Sequence, residues 1–428
     1  MTIPKSDEMK SKGKPCQLHP QSMCPAFGSL RILTRLEGSH PVMATDTGCL
    51  YGLTFVTHFY GARKSLLAAH LGTEELMAGE VVEGTRAAIE VAAKEPGVRL
   101  IPVVSLCVAE TAGLPEEMLP KKAGDADVVL VRVPAYAIHS HPEAKDVALA
   151  ALLNRLGDTS VAKKKKTLVL LGEVFPADPL AIDGLLRRMG VEQTITLPGR
   201  SIDDIERAAS VGAVAPLHPF YKETMQVFRS WDIPVVGGAP VGMSGSYAWL
   251  KSIGKLLDLD PKLVNEVAEE ERAKAAAILS GNPLEGATVI VSGYEGTELA
   301  YARLLVEAGA HVPFVSTSIG SDPLVLPDEL WLKQRGTQEV IYRKTLEHDV
   351  QALDDYDPDL VIGTTPYCAI AKERGIPAVY FTNQLASRPF FLTGGMGATI
   401  GFIKQMLSRE DKYQWMHDFF ELEVVNNG

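Results

Sequence analysis

The sequence predicts an α/β protein built from three doubly wound domains, each with a parallel sheet covered by helices on both faces. From about residue 40 onward, short runs rich in β-branched residues alternate with amphipathic helical stretches, which is typical of βαβ units. The strand-like runs fall into three groups, near 40–135, 165–240 and 287–382. The chain has 428 residues, more than a single core usually supports, so several domains are expected.

Ten runs have the length and composition of buried strands. They are 41–45, 99–106, 127–133, 167–172, 213–217, 233–238, 287–293, 311–316, 359–364 and 377–382. Helical patterning is clear at 79–95 and 298–309. A long helical stretch is expected from Tyr247 to Leu279, with Ser244 or Ser246 as its N-cap.

The domain boundaries are predicted from these groups. The expected segments are a flexible N-terminal arm over 1–22, a first α/β domain over 23–162, a second α/β domain with linking helices over 163–283, a third α/β domain over 284–408, and a C-terminal helix or tail over 409–428. The arm is polar and Lys-rich, without the features of a secretory signal. The basic run from Lys163 to Lys166 is interpreted as a solvated linker.

Charge and composition exclude some classes of function. The formal net charge is −11, from 42 basic and 53 acidic residues, which argues against a surface that grips nucleic-acid phosphates. No apolar run approaches the roughly 18 residues of a membrane helix. We therefore expect a cytoplasmic protein with no nucleic-acid partner and no transmembrane segment.

The five cysteines are a poor disulfide framework, because they are odd in number and widely spread. Cys24, Cys49 and Cys107 lie in loops or at strand ends of the first predicted domain, where doubly wound sheets bind ligands. Three thiolates suit zinc, copper(I) or an iron–sulfur cluster. The close cysteine pairs of structural zinc sites are missing. A cluster usually takes four ligands, and the fourth could be a partner chain's residue, a non-cysteine group, Cys16 or Cys368.

Several segments carry a family resemblance. The stretches 21–31, 46–65 and 104–110 resemble the Y subunits of nitrogenase-like chlorophyllide a reductases. Their order of Cys-Pro, then Gly-Cys after a strand, then strand-Cys-x-x-Glu, is shared more broadly by nitrogenase-type catalytic components. The later stretches 291–312 and 357–381 resemble the third domain of that superfamily, and 394–403 resembles its C-terminal glycine-rich helix start. The resemblance implies a fold like that of nitrogenase component 1.

The resemblance also implies a function. Subunits Y and Z of this family form a Y2Z2 heterotetramer with a [4Fe-4S] cluster at each Y–Z interface. By residue match, Cys24, Cys49 and Cys107 would be the ligands from this chain, and a cysteine of subunit Z would be the fourth. A separate ATP-dependent iron–sulfur reductase, subunit X, docks transiently and delivers electrons. The C7=C8 bond of ring B in chlorophyllide a is reduced, which gives 3-vinyl bacteriochlorophyllide a in bacteriochlorophyll biosynthesis.

Two cysteines are expected to be bystanders. Cys16 lies in the N-terminal arm, and Cys368 is interpreted as a buried structural thiol at the start of a helix. The segment 293–300 contains Gly-x-x-Gly after a strand, which predicts tight strand-to-helix packing and not a dinucleotide site. The phosphate-binding motif of P-loop ATPases is missing. ATP and Mg²⁺ are therefore expected only on the electron-donor subunit.

Four further residues are candidates for contact with the tetrapyrrole or its magnesium, namely His58, Tyr60, His139 and His141. The plain interpretation is helix packing for the first two and a surface turn for the two histidines. The functional interpretation is magnesium ligation or proton relay, since imidazole titrates near neutrality. No secure proton donor or other catalytic residue can be named.

Three other functions stay open. The chain could be the N subunit of a dark-operative protochlorophyllide reductase, which shares the fold and the cysteine order. It could be a nitrogenase-like cluster scaffold or carrier without catalysis. It could also be a metal-free α/β binding protein whose cysteines are incidental.

Overall fold

Three β-sheets joined by helices form the chain, as the computed structural model shows for residues 24–59, 66–173 and 177–426. Nine of the ten predicted strands overlap a strand of the structure, and the predicted α/β class with several parallel sheets is confirmed. The largest hydrophobic cluster is continuous across all three sheets. Among the helices described, none combines the length and the apolar character that crossing a membrane requires.

The first sheet carries the cysteines. Its elements in chain order are α1 (Pro25–Leu33), β1 (Val42–Thr45), α2 (Thr47–Phe59), β2 (Leu67–His70), α3 (Thr73–Ala78), α4 (Val81–Ala92), β3 (Leu100–Ser105), α5 (Cys107–Ala112), β4 (Lys122–Ala123), β5 (Ala126–Arg132) and α6 (His141–Leu156). The strand order is β2-β1-β3-β5-β4. All pairs are parallel except the short edge strand β4, which runs antiparallel to β5. Because β1 and β3 are neighbours, the residues that follow them lie side by side at one edge.

The second sheet is smaller and has the order β7-β6-β8. Its elements are β6 (Lys164–Leu171), α7 (Pro179–Arg188), β7 (Gln193–Leu197), α8 (Ile202–Arg207), β8 (Val211–Pro216) and α9 (Lys222–Ser230). The prediction that Lys163 to Lys166 form a linker is wrong for Lys164 to Lys166, because these residues begin strand β6. Their side chains are exposed, as expected for a solvated segment. The predicted strand at 233–238 is also wrong. Only Val235 forms an isolated bridge there, and Gly238, with φ of 73°, turns the chain away.

Two helices link the second sheet to the third, α10 (Gly242–Leu256) and α11 (Pro261–Leu279). The helical stretch predicted from Tyr247 to Leu279 is confirmed, although two helices form it. The break lies at Asp258, which has a left-handed backbone with φ of 52°. The second helix then starts afresh, because Asp260 accepts a hydrogen bond from the Lys262 backbone N–H and Pro261 occupies the first helical position.

The predicted N-caps of this region are wrong. Ser244 and Ser246 lie inside α10, which begins at Gly242. Ser244 donates a hydrogen bond of 2.7 Å to Glu307, and Ser246 is buried. Gly242 has φ of 64° and its Cα faces Glu307 so closely that a side chain would collide with the carboxylate. Glycine tolerates both the positive φ and the close contact. The helix α10 can therefore begin at Gly242, before the two serines that were predicted to cap it.

The third sheet has the order β11-β10-β9-β12-β13 and is parallel throughout. Its elements are β9 (Val289–Ser292), α12 (Glu298–Glu307), β10 (Phe314–Thr317), α13 (Leu326–Lys333), β11 (Glu339–Tyr342), α14 (Leu346–Tyr356), β12 (Leu360–Gly363), α15 (Thr365–Glu373), β13 (Ala378–Tyr380), α16 (Phe381–Ser387), α17 (Leu392–Leu407) and α18 (Glu410–Asn426). A Cβ on Gly293 or Gly296 would collide with side chains of neighbouring elements. The tight packing predicted for 293–300 is confirmed.

Candidate functional site

Cys24 lies at the N-cap of α1, directly before Pro25. Its backbone carbonyl accepts a hydrogen bond of 2.9 Å from Phe27. Proline at the first helical position suits a helix start, because its missing N–H needs no partner there. Burial raises the pKa of the Cys24 thiol to about 11, and the nearby sulfurs of Cys49 and Cys107 add to the rise.

Cys49 lies in the first turn of α2 and is exposed. The carboxylate of Asp46, between β1 and α2, accepts hydrogen bonds from the backbone N–H groups of Gly48 at 2.8 Å and Cys49 at 3.1 Å. Asp46 therefore caps the helix and fixes the turn that presents the thiol. Loss of solvation raises the pKa of the Cys49 thiol, and its hydrogen bond to Asp46 raises it further.

Cys107 is the first residue of α5 and comes just after β3. Its Sγ accepts a hydrogen bond of 3.2 Å from the backbone N–H of Ala135, in the segment between β5 and α6. Adjacent parallel strands therefore direct two of the cysteines to the same edge of the sheet. The loop that follows the next strand holds the sulfur of Cys107 in place.

The structure brings Cys24, Cys49 and Cys107 together, and we call this group the cysteine site. The charges on their sulfurs influence one another, and each cysteine lies at the N-terminal end of a helix. Burial favours the protonated thiols of Cys24 and Cys49, and the positive end of a helix dipole opposes this effect because it favours a thiolate. Three thiolates of this kind suit a soft metal or an iron–sulfur cluster. Within residues 24–59, 66–173 and 177–426, no three His, Cys, Asp or Glu side chains are placed so that together they could hold a metal ion.

The other two cysteines are separate from the cysteine site. Cys368 lies in α15 and is 4% exposed, packed in a hydrophobic cluster of the third sheet. The expectation that it is a buried thiol is confirmed. Cys16 lies outside the described residues, so its expected role as a bystander stays a prediction.

The four candidates for substrate contact have different surroundings. His58 lies in α2, and Tyr60 lies outside the described residues. His139 is partly exposed in the segment before α6. His141 is not in a surface turn as the plain interpretation expected, because it begins α6 and is fully buried. Burial lowers its pKa to about 4. Contact of these residues with a pigment stays a prediction.

A buried cluster of charges lies where the three sheets meet, and the sequence analysis missed it. We call it the junction cluster; its members are Arg31, His141, Lys145, Glu173 and Glu295. Arg31 contacts Glu173 at 3.2 Å and Glu295 at 3.6 Å. Lys145 pairs with Glu173 and lies 3.6 Å from Glu295, and His141 Nε2 lies 3.2 Å from Glu295. Two cations, Arg31 and Lys145, thus balance two carboxylates in the protein interior.

The charges of the junction cluster shift one another's pKa values. Burial alone would raise the pKa of Glu173, but Arg31 and Lys145 lower it to about 2. Burial also lowers the pKa of Lys145, and the second nearby cation, Arg31, lowers it further.

The members of the junction cluster come from distant segments of the chain, and no local sequence pattern marks them. One weak signal was available, because Glu173 lies two residues after β6 and Glu295 lies three residues after β9, at the strand ends where ligands are usually sought.

A small cavity of about 20 Å³ borders the junction cluster. Its wall includes His218, which follows β8 and is 2% exposed. Among the residues that the structure describes, neither ring nitrogen of His218 has a hydrogen-bond partner. Burial lowers the pKa of His218 to about 3. The cavity has room for an ordered water molecule, which is the simplest partner for the imidazole.

Comparisons with known proteins show what the chain resembles. The family of nitrogenase component 1 type oxidoreductases matches residues 24–406. The chlorophyllide reductase 52.5 kDa chain of Rhodobacter capsulatus is 38% identical over 94% of this chain and 82% of its own length. Subunit N of the light-independent protochlorophyllide reductase of Parasynechococcus marenigrum is 25% identical over 65% of this chain and 66% of its own. A solved nitrogenase Cp1 structure shares the fold, with a TM-score of 0.80, 18% identity, and coverage of 93% of this chain and 95% of its own.

Proposed function

Because this chain belongs to the family of nitrogenase component 1 type oxidoreductases, we propose that it is the Y-type subunit of a chlorophyllide a reductase. The proposed reaction adds two electrons and two protons to the ring B C7=C8 bond of chlorophyllide a, and the product is 3-vinyl bacteriochlorophyllide a. One observation carries the proposal. Three cysteines converge at the ends of helices of the first sheet, in a chain that is 38% identical to a chlorophyllide reductase chain.

The donor set fits a [4Fe-4S] cluster. Cys24, Cys49 and Cys107 would hold it, and a bound cluster would supply single-electron transfer. This chain's own residues keep the thiolates in place. The starts of α1, α2 and α5 favour their negative charge, and the Ala135 N–H donates to the Cys107 sulfur. Asp46 fixes the turn of Cys49.

A partner chain would complete the site, because this chain contributes three ligands and a cluster usually takes four. We propose that a cysteine of subunit Z supplies the fourth ligand in a Y2Z2 heterotetramer. Cys49 is exposed, and Tyr51, two residues further along α2, is 78% exposed. Because both side chains are exposed, this end of α2 is accessible to a second chain. Subunit X, the ATP-dependent reductase, would dock transiently and would carry the ATP and Mg²⁺.

The test is anaerobic purification of this chain together with subunit Z, followed by iron and sulfide analysis and a turnover assay with subunit X, ATP and chlorophyllide a. We expect a brown complex that loses its iron when Cys24, Cys49 or Cys107 is replaced by alanine. Cys368→Ala is the matched control, because that thiol is buried far along the chain, and it should keep its iron. Full iron content in all three ligand variants would contradict the assignment.

The second candidate is the N subunit of a dark-operative protochlorophyllide reductase. The 25% identity to such a subunit covers 65% of this chain, whereas the 38% identity to the chlorophyllide reductase chain covers 94%, which favours the first proposal. Turnover of protochlorophyllide without turnover of chlorophyllide a would reverse the choice. A complex that keeps its cluster and reduces neither pigment would support a scaffold role instead.

A further inference from the structure

A series of hydroxyl groups leads from a partly exposed position to the junction cluster. Tyr380, the last residue of β13, is partly exposed, and its hydroxyl forms a hydrogen bond with the hydroxyl of Tyr294. Tyr294 also forms a side-chain hydrogen bond with Thr382. The hydroxyl of Thr382 donates a hydrogen bond of 2.8 Å to Oε1 of Glu295. Tyr294, Thr382 and Glu295 are all buried, so the series crosses from the surface into the interior.

Glu295 connects this series to the centre of the junction cluster. Its Oε2 lies 3.2 Å from Nε2 of His141 and 3.6 Å from Nζ of Lys145. The ammonium group of Lys145 also pairs with Glu173. Hydrogen bonds and ion pairs therefore link the hydroxyl of Tyr380 to the ammonium group of Lys145 without a break.

The inner end of the series borders the small cavity of the junction cluster. Thr382, Glu295, Lys145 and Glu173 all line this cavity of about 20 Å³. Glu173 follows β6 and Glu295 follows β9, so the cavity lies at the carboxyl ends of strands, where doubly wound sheets bind ligands. A buried ammonium group is thus placed on the ligand side of the sheets and is connected to the surface.

The groups in the series have the chemistry that proton transfer needs. A hydroxyl group both donates and accepts a hydrogen bond, so it can pass a proton on without keeping it. Burial lowers the pKa of Lys145, and Arg31 lowers it further, which makes the ammonium group a stronger acid than an exposed lysine. The hydroxyls of Tyr294 and Tyr380 add no charge, so the charge balance of the junction cluster does not require them.

We propose that Tyr380, Tyr294, Thr382 and Glu295 form a proton relay that recharges Lys145 each time its ammonium group gives up a proton. The inference rests on the proposed function, which requires two protons at the pigment. For each proton that Lys145 releases, Glu295 returns one to it, each hydroxyl passes one inward, and water outside Tyr380 supplies the replacement. The electrons reach the pigment separately, so the relay itself is unchanged after a turnover that takes two protons from water.

The first test is turnover of the complete complex in H2O and in D2O, with saturating subunit X and ATP. Tyr380→Phe removes the outer hydroxyl and keeps the ring. We expect kcat to fall about tenfold, since general acid–base catalysis contributes about 10²- to 10⁴-fold and water replaces part of the lost step. The solvent deuterium isotope effect on kcat should rise, because proton transfer then limits the rate.

Tyr342→Phe is the matched control for this substitution. Tyr342 is also a partly exposed tyrosine at the end of a strand of the third sheet, and its hydroxyl donates a hydrogen bond of 2.8 Å to Glu329, outside the relay. Neither kcat nor the isotope effect should change in this variant.

A pair of variants at Thr382 separates proton transfer from packing. Thr382→Val removes the hydroxyl and keeps the shape, so it should lower kcat and raise the isotope effect as Tyr380→Phe does. Thr382→Ser keeps the hydroxyl and should resemble the unaltered complex in both. Iron content and melting temperature are measured for each variant, and Tyr380→Phe decides the matter if Thr382→Val loses its iron.

The outcomes that overturn the relay differ from those that overturn the proposed function. An unchanged kcat or an unchanged isotope effect in Tyr380→Phe, or equal slowing in Thr382→Ser and Thr382→Val, would overturn the relay. The same measurements are made with protochlorophyllide. If the unaltered complex reduced only that pigment and the variants behaved as expected, the proposed function would be wrong and the relay would stand. Reduction of neither pigment would contradict both.

Discussion

Replacement of Lys145 by methionine tests whether the junction cluster holds the three sheets together. The side chain of Lys145 is 1% exposed, pairs with Glu173 and lies 3.6 Å from Glu295. Methionine approximates the apolar stem of lysine and removes the ammonium group with its charge and its hydrogen-bond donors. Two buried carboxylates would then face Arg31 as their remaining strong cation.

The expected cost follows from the burial of the partners. Removing one member of a buried ion pair typically destabilises a protein by about 3–5 kcal/mol, because the other charge stays buried without compensation. Arg31 remains in contact with both carboxylates, so we expect a value near the lower end, about 3 kcal/mol. The double variant Lys145→Met/Glu173→Gln should recover a large part of this loss, since it restores the balance of one cation to one carboxylate.

Chemical denaturation in guanidinium chloride, followed by tryptophan fluorescence, measures the effect. The matched control is Lys274→Met on α11, where the lysine is 50% exposed and pairs with Glu270 at 2.7 Å. A pair so exposed contributes less than about 1 kcal/mol. If Lys145→Met cost no more than Lys274→Met, or if the double variant were less stable than Lys145→Met, the reasoning about uncompensated buried charge would be wrong.

Three further changes have defined outcomes. Gly28→Ala should lower the melting temperature and the iron content together, because the added Cβ would lie 1.9 Å from a backbone oxygen at the start of α6. The control Gly184→Ala, where the added Cβ meets open space, should be neutral or stabilising. His218 stays neutral when folded, since burial lowers its pKa to about 3 while its unfolded value is 6.5, so it contributes stability above pH 6.5 that is lost as the pH falls. Denaturation between pH 5 and 6.5 should therefore show a slope smaller by up to about 1.4 kcal/mol per pH unit in His218→Phe than in the unaltered protein, and equal slopes would contradict this. Asp46→Asn should keep the helix cap and the iron of the proposed cluster. It should raise the reduction potential of the reconstituted complex in an EPR-monitored titration, since it removes a negative charge beside the proposed ligand Cys49; an unchanged potential would contradict this.

Much of the fold could be predicted from local sequence patterns. Runs such as 127–133 and 167–172 are continuous and apolar, so their length and β-branched content identified them as buried strands. The edge strands β2, β7 and β11 were missed because they are short or have partly exposed residues. The strand predicted at 233–238 was wrong for the opposite reason. The run is as apolar as a buried strand, but the glycines at its end turn the chain.

Some residues of the candidate site could also be predicted from the sequence, and others could not. The cysteines could be found because Cys49 and Cys107 follow predicted strands, and a strand end has a fixed place in a doubly wound sheet. The junction cluster could not be found, because Arg31, Lys145 and Glu295 become neighbours only when three sheets pack together. His141 shows the limit most clearly. Its position in the sequence suggested a surface turn, and the close packing of α1 against α6 buries it.

The spacing of the three cysteines has a consequence for the order of events in maturation. Cys24, Cys49 and Cys107 are separated by 25 and 58 residues and meet only because β1 and β3 are paired and α1 lies against α6. A newly made chain therefore offers no local chelating loop to iron. If these cysteines hold a cluster as proposed, the sheet must form first, so the cluster would be delivered to a folded chain and not to the nascent polypeptide.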